Sequence, residues 1–476
     1  MKKILIAAAE CVPFAKTGGL ADVAGALAKH LPALGYDARL IMPCHRVIKQ
    51  RWGAQLEHLF SFSVQLGWRS QYVGIERFCA GGATYYFVDN EFYFGDMIYR
   101  GGSGEVEQYA FFCRAVLEAL PMLDFVPDIL HCNDWHTAIL PLLIKTQYAG
   151  SAAGGIKTLL TIHNIAYQGK YSFDFIHDLL GIDGRYNTPE FMESYGSANF
   201  LKAGCVFADR INTVSPSYAD EICRPEYSEG LDGILNARRH QLSGILNGID
   251  TEVFNPETDP AIPHHFSSGD LAGKDVCKKA LCSELGLVYD PDRPLIASVS
   301  RLTEQKGIDL ISSALPGMVD LGANVIILGS GAHEYEDAMR YAESHYRGRV
   351  CAYIGYNEDL AHRIYAGSDF LVMASRFEPC GLSQMIAMRY GTLPIVRETG
   401  GLRDSVIPYN RYTGEGTGFS FARYDAGDLY FAVERAVTVF RDKLTMAQLV
   451  GAAMAADFSF PRCAAQYGAL YESILA

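Results

Sequence analysis

A chain of 476 residues is too long for one ordinary hydrophobic core and predicts two or three domains. Apolar residues make up 49% and charged residues 20%, as in globular proteins, and no apolar run approaches the roughly 18 residues that a membrane-spanning helix needs. The net charge of −13 disfavours nucleic acid and anionic membranes as partners, so an anionic ligand would need local cations set against an unfavourable background.

The opening stretch KKILIAAAE is expected to be a buried strand rather than a leader, because its apolar run is short and Glu10 interrupts it. The loop KTGGLAD follows, then a helix in which Val23, Leu27, Leu31 and Leu34 fall at helical spacing and Gly35 stops it. Further strands are predicted at DARLIMPC, ATYYFVDN, DILHCND, IKTLLTIHN and RINTVS, with helical patterns over 107–123 and 137–148 between them. Several of these strands are apolar throughout, as strands covered on both faces should be. This alternation is the signature of a doubly wound parallel sheet.

Composition shifts over 246–270, where prolines, histidines and small polar residues cluster, and a linker is placed there. A second alternating series follows, with strands at PLIASVSR, NVIILGSG, VCAYIGY, FLVMAS and LPIVRE, and a mostly helical stretch over 426–475. The expected fold class is therefore α/β, with two doubly wound halves whose ligand loops lie at the carboxyl ends of the strands and face one cleft. The 12 cysteines lack metal-ligand spacing and mostly sit in apolar runs, so they read as reduced core thiols of a cytoplasmic protein.

A glycine pair occurs twice, as KTGGLAD (16–22) and TGGLRD (399–404), each after a strand. Neither is a Walker loop or a GxGxxG fingerprint. In the first, Gly18 and Gly19 let the chain approach a ligand, the helix start offers N–H groups to an anion, and Lys16 adds a mobile cation. A plain strand–helix turn with a solvated lysine explains the same residues. In SVSRLTEQKG, Arg301 and Lys306 place two cations in one loop at a strand end, which suits a diphosphate. The alternative there is a solvated basic loop. In ASRFEPCGLSQ, Glu378 precedes a proline-stiffened turn, and a helix begins near Leu382 and Ser383. A carboxylate beside an anion-binding helix start suits sugar hydroxyls, unless it only balances the helix terminus. Cys380 beside Gly381 is a packing residue in its simplest reading. Gly400 and Gly401 follow LPIVR in the same sense as the first pair. His163 and Asn164 end one strand and Asp134 another, and this trio fits recognition of sugar hydroxyls. No HExxH or CxxC accompanies the histidines, so no metal site is expected.

Eight segments, KTGGLADV, HNIAYQG, FLKAG, VSPSYADEI, LNGID, RLTEQKG, FEPCGLSQM and TGGLRDSV, occur in the order found in bacterial glycogen synthases and plant starch synthases, and the chain resembles that family over nearly its whole length. The resemblance implies the glycosyltransferase-B fold, two Rossmann-like domains around a deep cleft. It implies transfer of glucose from ADP-glucose to the nonreducing 4-hydroxyl of an α-1,4-glucan, with retention of configuration and no metal or cofactor. It implies an N-terminal domain over 1–246, a C-terminal domain over 247–455 and a terminal helix over 456–476 that packs back on the first. By matching motifs, Lys16, Arg301 and Lys306 hold the donor phosphates with backbone N–H groups over 380–384. Glu378, His163 and Asn164 bind the glucosyl group, Gly18, Gly19, Gly400 and Gly401 approach the donor, and Tyr356 lies by the adenine. Asn247 sits near the hinge, and Asp22, Tyr99 and Asp134 serve the acceptor. Ala9 and Ser383 depart from the commoner serine and threonine, and 90–106 matches less clearly.

Three other readings meet obstacles. The first is a different enzyme on the same fold, a sucrose-type synthase or a phosphorylase, and a phosphorylase needs a pyridoxal phosphate lysine that these motifs do not show. A dehydrogenase needs the GxGxxG fingerprint after the first strand, and GSGAHE is too short a match. A silent glucan-binding protein would have lost the cations or Glu378.

Overall fold

In a computed structural model that describes Met1–Ala476, the opening apolar run folds as strand β1 (Lys2–Ala7), and Ile4 through Ala9 have no exposed surface. The chain continues through β2 (Tyr36–Pro43), β3 (Glu57–Leu66), β4 (Arg69–Ala80), β5 (Ala83–Asp89), β6 (Ile129–Asn133) and β7 (Lys157–Ile162). Three short strands, β8 (Lys170–Tyr171), β9 (Glu193–Ser194) and β10 (Ser197–Asn199), form a sheet of their own. Strands β11 (Arg210–Thr213) and β12 (Leu242–Gly244) complete the large sheet, whose order is β12-β11-β7-β6-β1-β2-β5-β4-β3. This sheet belongs to a unit made of Met1–Gly248 and Phe460–Ala476.

The sheet is parallel from β12 to β5, but β3 and β4 pair antiparallel at its edge. The sequence reading has no strand there. The reason is the connection: Leu66 pairs with Arg69, so only Gly67 and Trp68 link the strands, and Gly67 has φ +61°. Two residues cannot make a crossover, so the chain must fold back as a hairpin.

The helix Gly19–His30 buries Leu20, Val23, Ala24, Leu27 and Ala28, one stripe at helical spacing, against the sheet. The C-terminal helix Phe460–Leu475 lies in the same unit and buries Cys463, Ala464, Tyr467 and Tyr471. Its tyrosines reach polar groups on the strands: Asn212 donates to the Tyr467 hydroxyl at 3.1 Å, and the Tyr471 hydroxyl lies 2.9 Å from His131 Nδ1. Buried polar side chains on the strands are thereby satisfied.

The second unit, Ile249–Ser459, holds a fully parallel sheet. Its strands are β13 (Leu295–Val299), β14 (Asn324–Gly329), β15 (Val350–Ile354), β16 (Phe370–Met373), β17 (Leu393–Arg397) and β18 (Phe419–Phe421), in the order β15-β14-β13-β16-β17-β18. The proline-rich segment after residue 249 packs firmly onto this unit. Asp259 is 2% exposed and accepts from the Tyr390 hydroxyl at 2.5 Å, with His362 Nδ1 at 2.7 Å, while Phe254 stacks on the His362 ring.

In both units the first strand sits mid-sheet. The chain fills one side, β2 and β5 or β14 and β15, then returns to the other at β6 or β16. Loops leaving the two central strands diverge there, which opens a crevice at the carboxyl edge of each sheet.

Candidate active site

In the first unit the crevice is bounded by the loops after β1, β6 and β7. Asp134 follows β6 with φ +56°, the left-handed region that aspartate tolerates better than most residues. Its backbone is held by Thr161 O, and Thr137 Oγ1 bridges the N–H and C=O of Asn133 at 2.6 and 2.9 Å. This turn aims the carboxylate across to β7, where Oδ1 accepts the backbone N–H groups of His163 at 2.7 Å and Asn164 at 3.3 Å. The Asp134 side chain is buried, and desolvation pushes its pKa up to about 7 against the two N–H bonds that lower it. Burial pulls His163 down to about 3, so its imidazole is neutral at physiological pH.

The structure thus brings Asp134, His163 and Asn164 together by direct hydrogen bonds. Asn164 Oδ1 also accepts from Ala166 N–H at 3.0 Å, which turns the chain into AYQG. Gly169, at φ +63°, lies flat on the Trp135 ring, where a Cβ would come within 2.3 Å. Trp135, Gln168, Tyr171, Glu105 and Glu229 line a cavity of about 270 Å³ beside this edge. Tyr99 packs its ring 4.9 Å from that of His136, and burial raises its hydroxyl pKa.

Glu10 is the residue that sequence reasoning missed. It reads as an interruption of an apolar run, yet it is 2% exposed at the carboxyl end of β1 and accepts from the Thr17 N–H and hydroxyl. Burial raises its pKa, and the charge of Asp22 adds to the rise. A carboxylate directly after a buried strand was the available signal. Lys16 pairs with Asp22 at 2.8 Å and is half exposed. Asn247, one residue before the first stretch of this unit ends at Gly248, is buried, with no partner for Oδ1.

In the second unit, Arg301 and Lys306 follow β13 and residues 378–383 follow β16, the two central strands. Lys306 Nζ contacts Glu378 Oε2 at 2.6 Å, with the side chains 17% and 7% exposed, and Ser375 donates to the same oxygen at 3.0 Å. The two charges are therefore partners. Gly307, at φ +70°, lets this loop pass Ala374, whose carbonyl would be 2.1 Å from a Cβ. Arg301 is exposed, and Nη2 donates to Gln305 Oε1 at 3.4 Å. Gln384 Nε2 binds the carbonyls of Cys380 and Gly381 at 3.1 and 2.9 Å and so shapes the turn before Leu382 and Ser383. Cys380 is buried, the Ser383 hydroxyl accepts from Tyr365 at 3.2 Å, and Tyr356 is 84% exposed.

The two glycine pairs answer to different constraints. A Cβ on Gly18 would make only an ordinary contact with Glu10, at 3.6 Å. A Cβ on Gly400, at φ +43°, would sit 2.0 Å from Glu378 O, and one on Gly401 2.1 Å from Cys380 O. The second pair exists so that the Glu378–Cys380 backbone can lie against it. Gly401→Ala is expected to destabilise the second unit by about 1–3 kcal/mol, whereas Gly18→Ala leaves stability within about 0.5 kcal/mol. Thermal unfolding of both variants checks this, and equal midpoints would refute it.

The chain matches the family model described as the starch synthase catalytic domain over residues 3–237 and that for glycosyl transferases group 1 over 287–439. It is 46% identical to the glycogen synthase of Geobacillus thermodenitrificans (strain NG80-2), over 99% of this chain and 98% of that one. It is 46% identical to that of Clostridioides difficile (strain 630), over 99% of each. Among solved structures, the catalytic domain of starch synthase IV from Arabidopsis thaliana, bound to ADP and acarbose, aligns with a TM-score of 0.91 and 34% identity over 99% of both chains. Sucrose-phosphate synthase from Thermosynechococcus elongatus aligns at 0.61 with 16% identity, covering 100% of this chain and 99% of that one, a likeness of fold alone. The two units together have the glycosyltransferase-B fold. By identity sustained over its full length, the chain belongs to the glycogen and starch synthase family of glycosyltransferases.

Proposed function

We propose that the chain transfers glucose from ADP-glucose to the nonreducing 4-hydroxyl of an α-1,4-glucan, with retention of configuration and without a metal or cofactor. The reading rests on the carboxyl edges of the two sheets: one pairs a buried Glu378 with a part-buried Lys306 in the loop after the exposed Arg301, the other joins buried Asp134 and His163 to a part-buried Asn164, in a chain 46% identical to glycogen synthases. In this reading Arg301 and Lys306 hold the diphosphate with backbone N–H groups over 380–384, Lys16 supplies a further cation, and Tyr356 covers the adenine. Gly18, Gly19, Gly400 and Gly401 let backbone approach the donor. Glu378, held in place by Lys306, accepts from glucosyl hydroxyls.

In the first unit His163 and Asn164 meet the glucosyl group, while Asp134, Asp22 and Tyr99 serve the glucan. The aromatic wall of the 270 Å³ cavity, Trp135 and Tyr171, offers apolar ring faces against which a glucan packs. The cations stabilise charge developing on the leaving ADP. Front-face attack, with the departing phosphate taking the acceptor's proton, fits Glu378 better than a covalent adduct, because its carboxylate is already committed to Lys306 and Ser375. The same reading places the enzyme in the cytoplasm, where its 12 thiols stay reduced.

The test is transfer of labelled glucose to glycogen from ADP-glucose and UDP-glucose side by side. ADP-glucose is expected to be the better donor, and no transfer from either would end the proposal.

A further inference from the structure

Asn133 is the last residue of β6, fully buried, and its side chain lies beside the ring of His163. Its amide nitrogen donates to two backbone carbonyls, Ala7 O at 3.2 Å and His131 O at 3.3 Å. Both N–H bonds are thereby used, which fixes the orientation of the amide. Its oxygen must then face the imidazole, and Oδ1 lies 2.9 Å from His163 Nε2. An amide oxygen accepts and never donates, so Nε2 carries the hydrogen. Burial keeps the ring neutral, so it has only that one N–H, and Nδ1 is left as a bare lone pair. No protein group hydrogen-bonds Nδ1: the ring is held through Nε2, and the backbone N–H through Asp134.

We infer that Asn133 is a positioning residue that locks His163 as the Nε2–H tautomer, so that Nδ1 accepts a hydrogen bond from a neutral sugar hydroxyl of the donor. The inference rests on the proposed reading in which His163 meets the glucosyl group. It adds a selectivity: a lone pair welcomes a hydroxyl and repels a carboxylate or phosphate at the same position of the sugar, where an imidazolium would attract them. The chemistry of the pocket is then set by a residue that never touches substrate. The chain of control runs from the Ala7 and His131 carbonyls through the Asn133 amide to one ring nitrogen.

The experiment is imidazole nitrogen NMR on the full chain labelled at histidine, with the His163 signals among the 13 histidines assigned by their loss in His163→Gln. The expected spectrum shows His163 as a single tautomer, protonated at Nε2 and unprotonated at Nδ1. In Asn133→Leu, similar in size but without the acceptor, the tautomer is expected to become mixed. A wild-type ring protonated at Nδ1, or an unchanged tautomer in the leucine variant, overturns the inference. Kinetics supply a second readout with monodeoxy analogues of ADP-glucose. For one hydroxyl, its removal is expected to lower wild-type kcat/KM roughly tenfold, and Asn133→Leu to lower it by a similar factor on intact donor with little further loss on the deoxy donor. Fully additive losses at every hydroxyl also overturn the inference. If the leucine variant fails to fold, the wild-type spectrum still decides the tautomer. If no ADP-glucose turnover occurs while the tautomer stands as expected, the proposed donor is wrong and the tautomer lock is not.

Discussion

Lys306→Ala is expected to lower turnover a hundredfold or more and to destabilise the second unit as well. Two effects arise from one side chain. In the proposed reading Lys306 is a cation beside the leaving diphosphate that stabilises charge developing only in the transition state, and its loss then costs on the order of 3 kcal/mol of barrier. As the partner of Glu378 at 2.6 Å, it neutralises a carboxylate that is 7% exposed. Removing one member of such a buried pair leaves the other uncompensated, at a cost of about 3–5 kcal/mol, moderated here by the Ser375 hydroxyl. The two effects separate in the double variant Lys306→Met with Glu378→Gln. Unfolding should recover toward wild type, because no charge is stranded, while turnover stays low. Near-normal kinetics in Lys306→Ala would remove the residue from the site, and unchanged stability would show that the ion pair is dispensable.

Asp134→Ala should lose a similar factor in kcat/KM, for a different reason. The carboxylate accepts the backbone N–H groups of His163 and Asn164, so its loss leaves two donors unsatisfied and frees the strand end that carries both residues. Alanine also fits the φ of +56° less well than aspartate. Asp134→Asn keeps an acceptor oxygen and tolerates the same backbone, and so isolates the charge. The folded pKa of about 7 lies above the ordinary 3.8, so the folded state binds the proton more tightly than the unfolded one. The stability this group contributes is therefore fully present below about pH 4 and is lost as pH rises through 7. Unfolding free energy should fall between pH 4 and 7 more steeply in wild type than in Asp134→Asn, as urea titrations across that range will show. The pH–rate profile should likewise lose an inflection near 7 in the asparagine variant. Parallel pH profiles would mean that Asp134 does not titrate there.

Much of the candidate site could be picked out in the sequence because its residues sit where local patterns change. Apolar runs end at Glu10, Asp134, His163, Arg301 and Arg397, and each ending marks the carboxyl end of a strand. Eight motifs in order then carried the family, since many short matches in register over a whole chain do not arise from composition. The β3–β4 hairpin escaped because its strands are half-exposed and its turn is only two residues long, leaving neither an apolar run nor a helix between strands.

By itself the sequence determined the alternation of strands and helices, the parallel part of both large sheets and the candidate loops at the strand ends, because these follow from spacing between near neighbours. Only the tertiary structure decided who meets whom. It paired Lys306 with Glu378 across 72 residues, turned Glu10 from an interruption into a buried carboxylate, and set Asn133 against His163 across 30. It also showed that one glycine pair is required by a backbone lying against it and that Gly18 is not. The physical reason is that desolvation and charge pairing depend on strand order and burial, and neither is written in the spacing of residues along the chain.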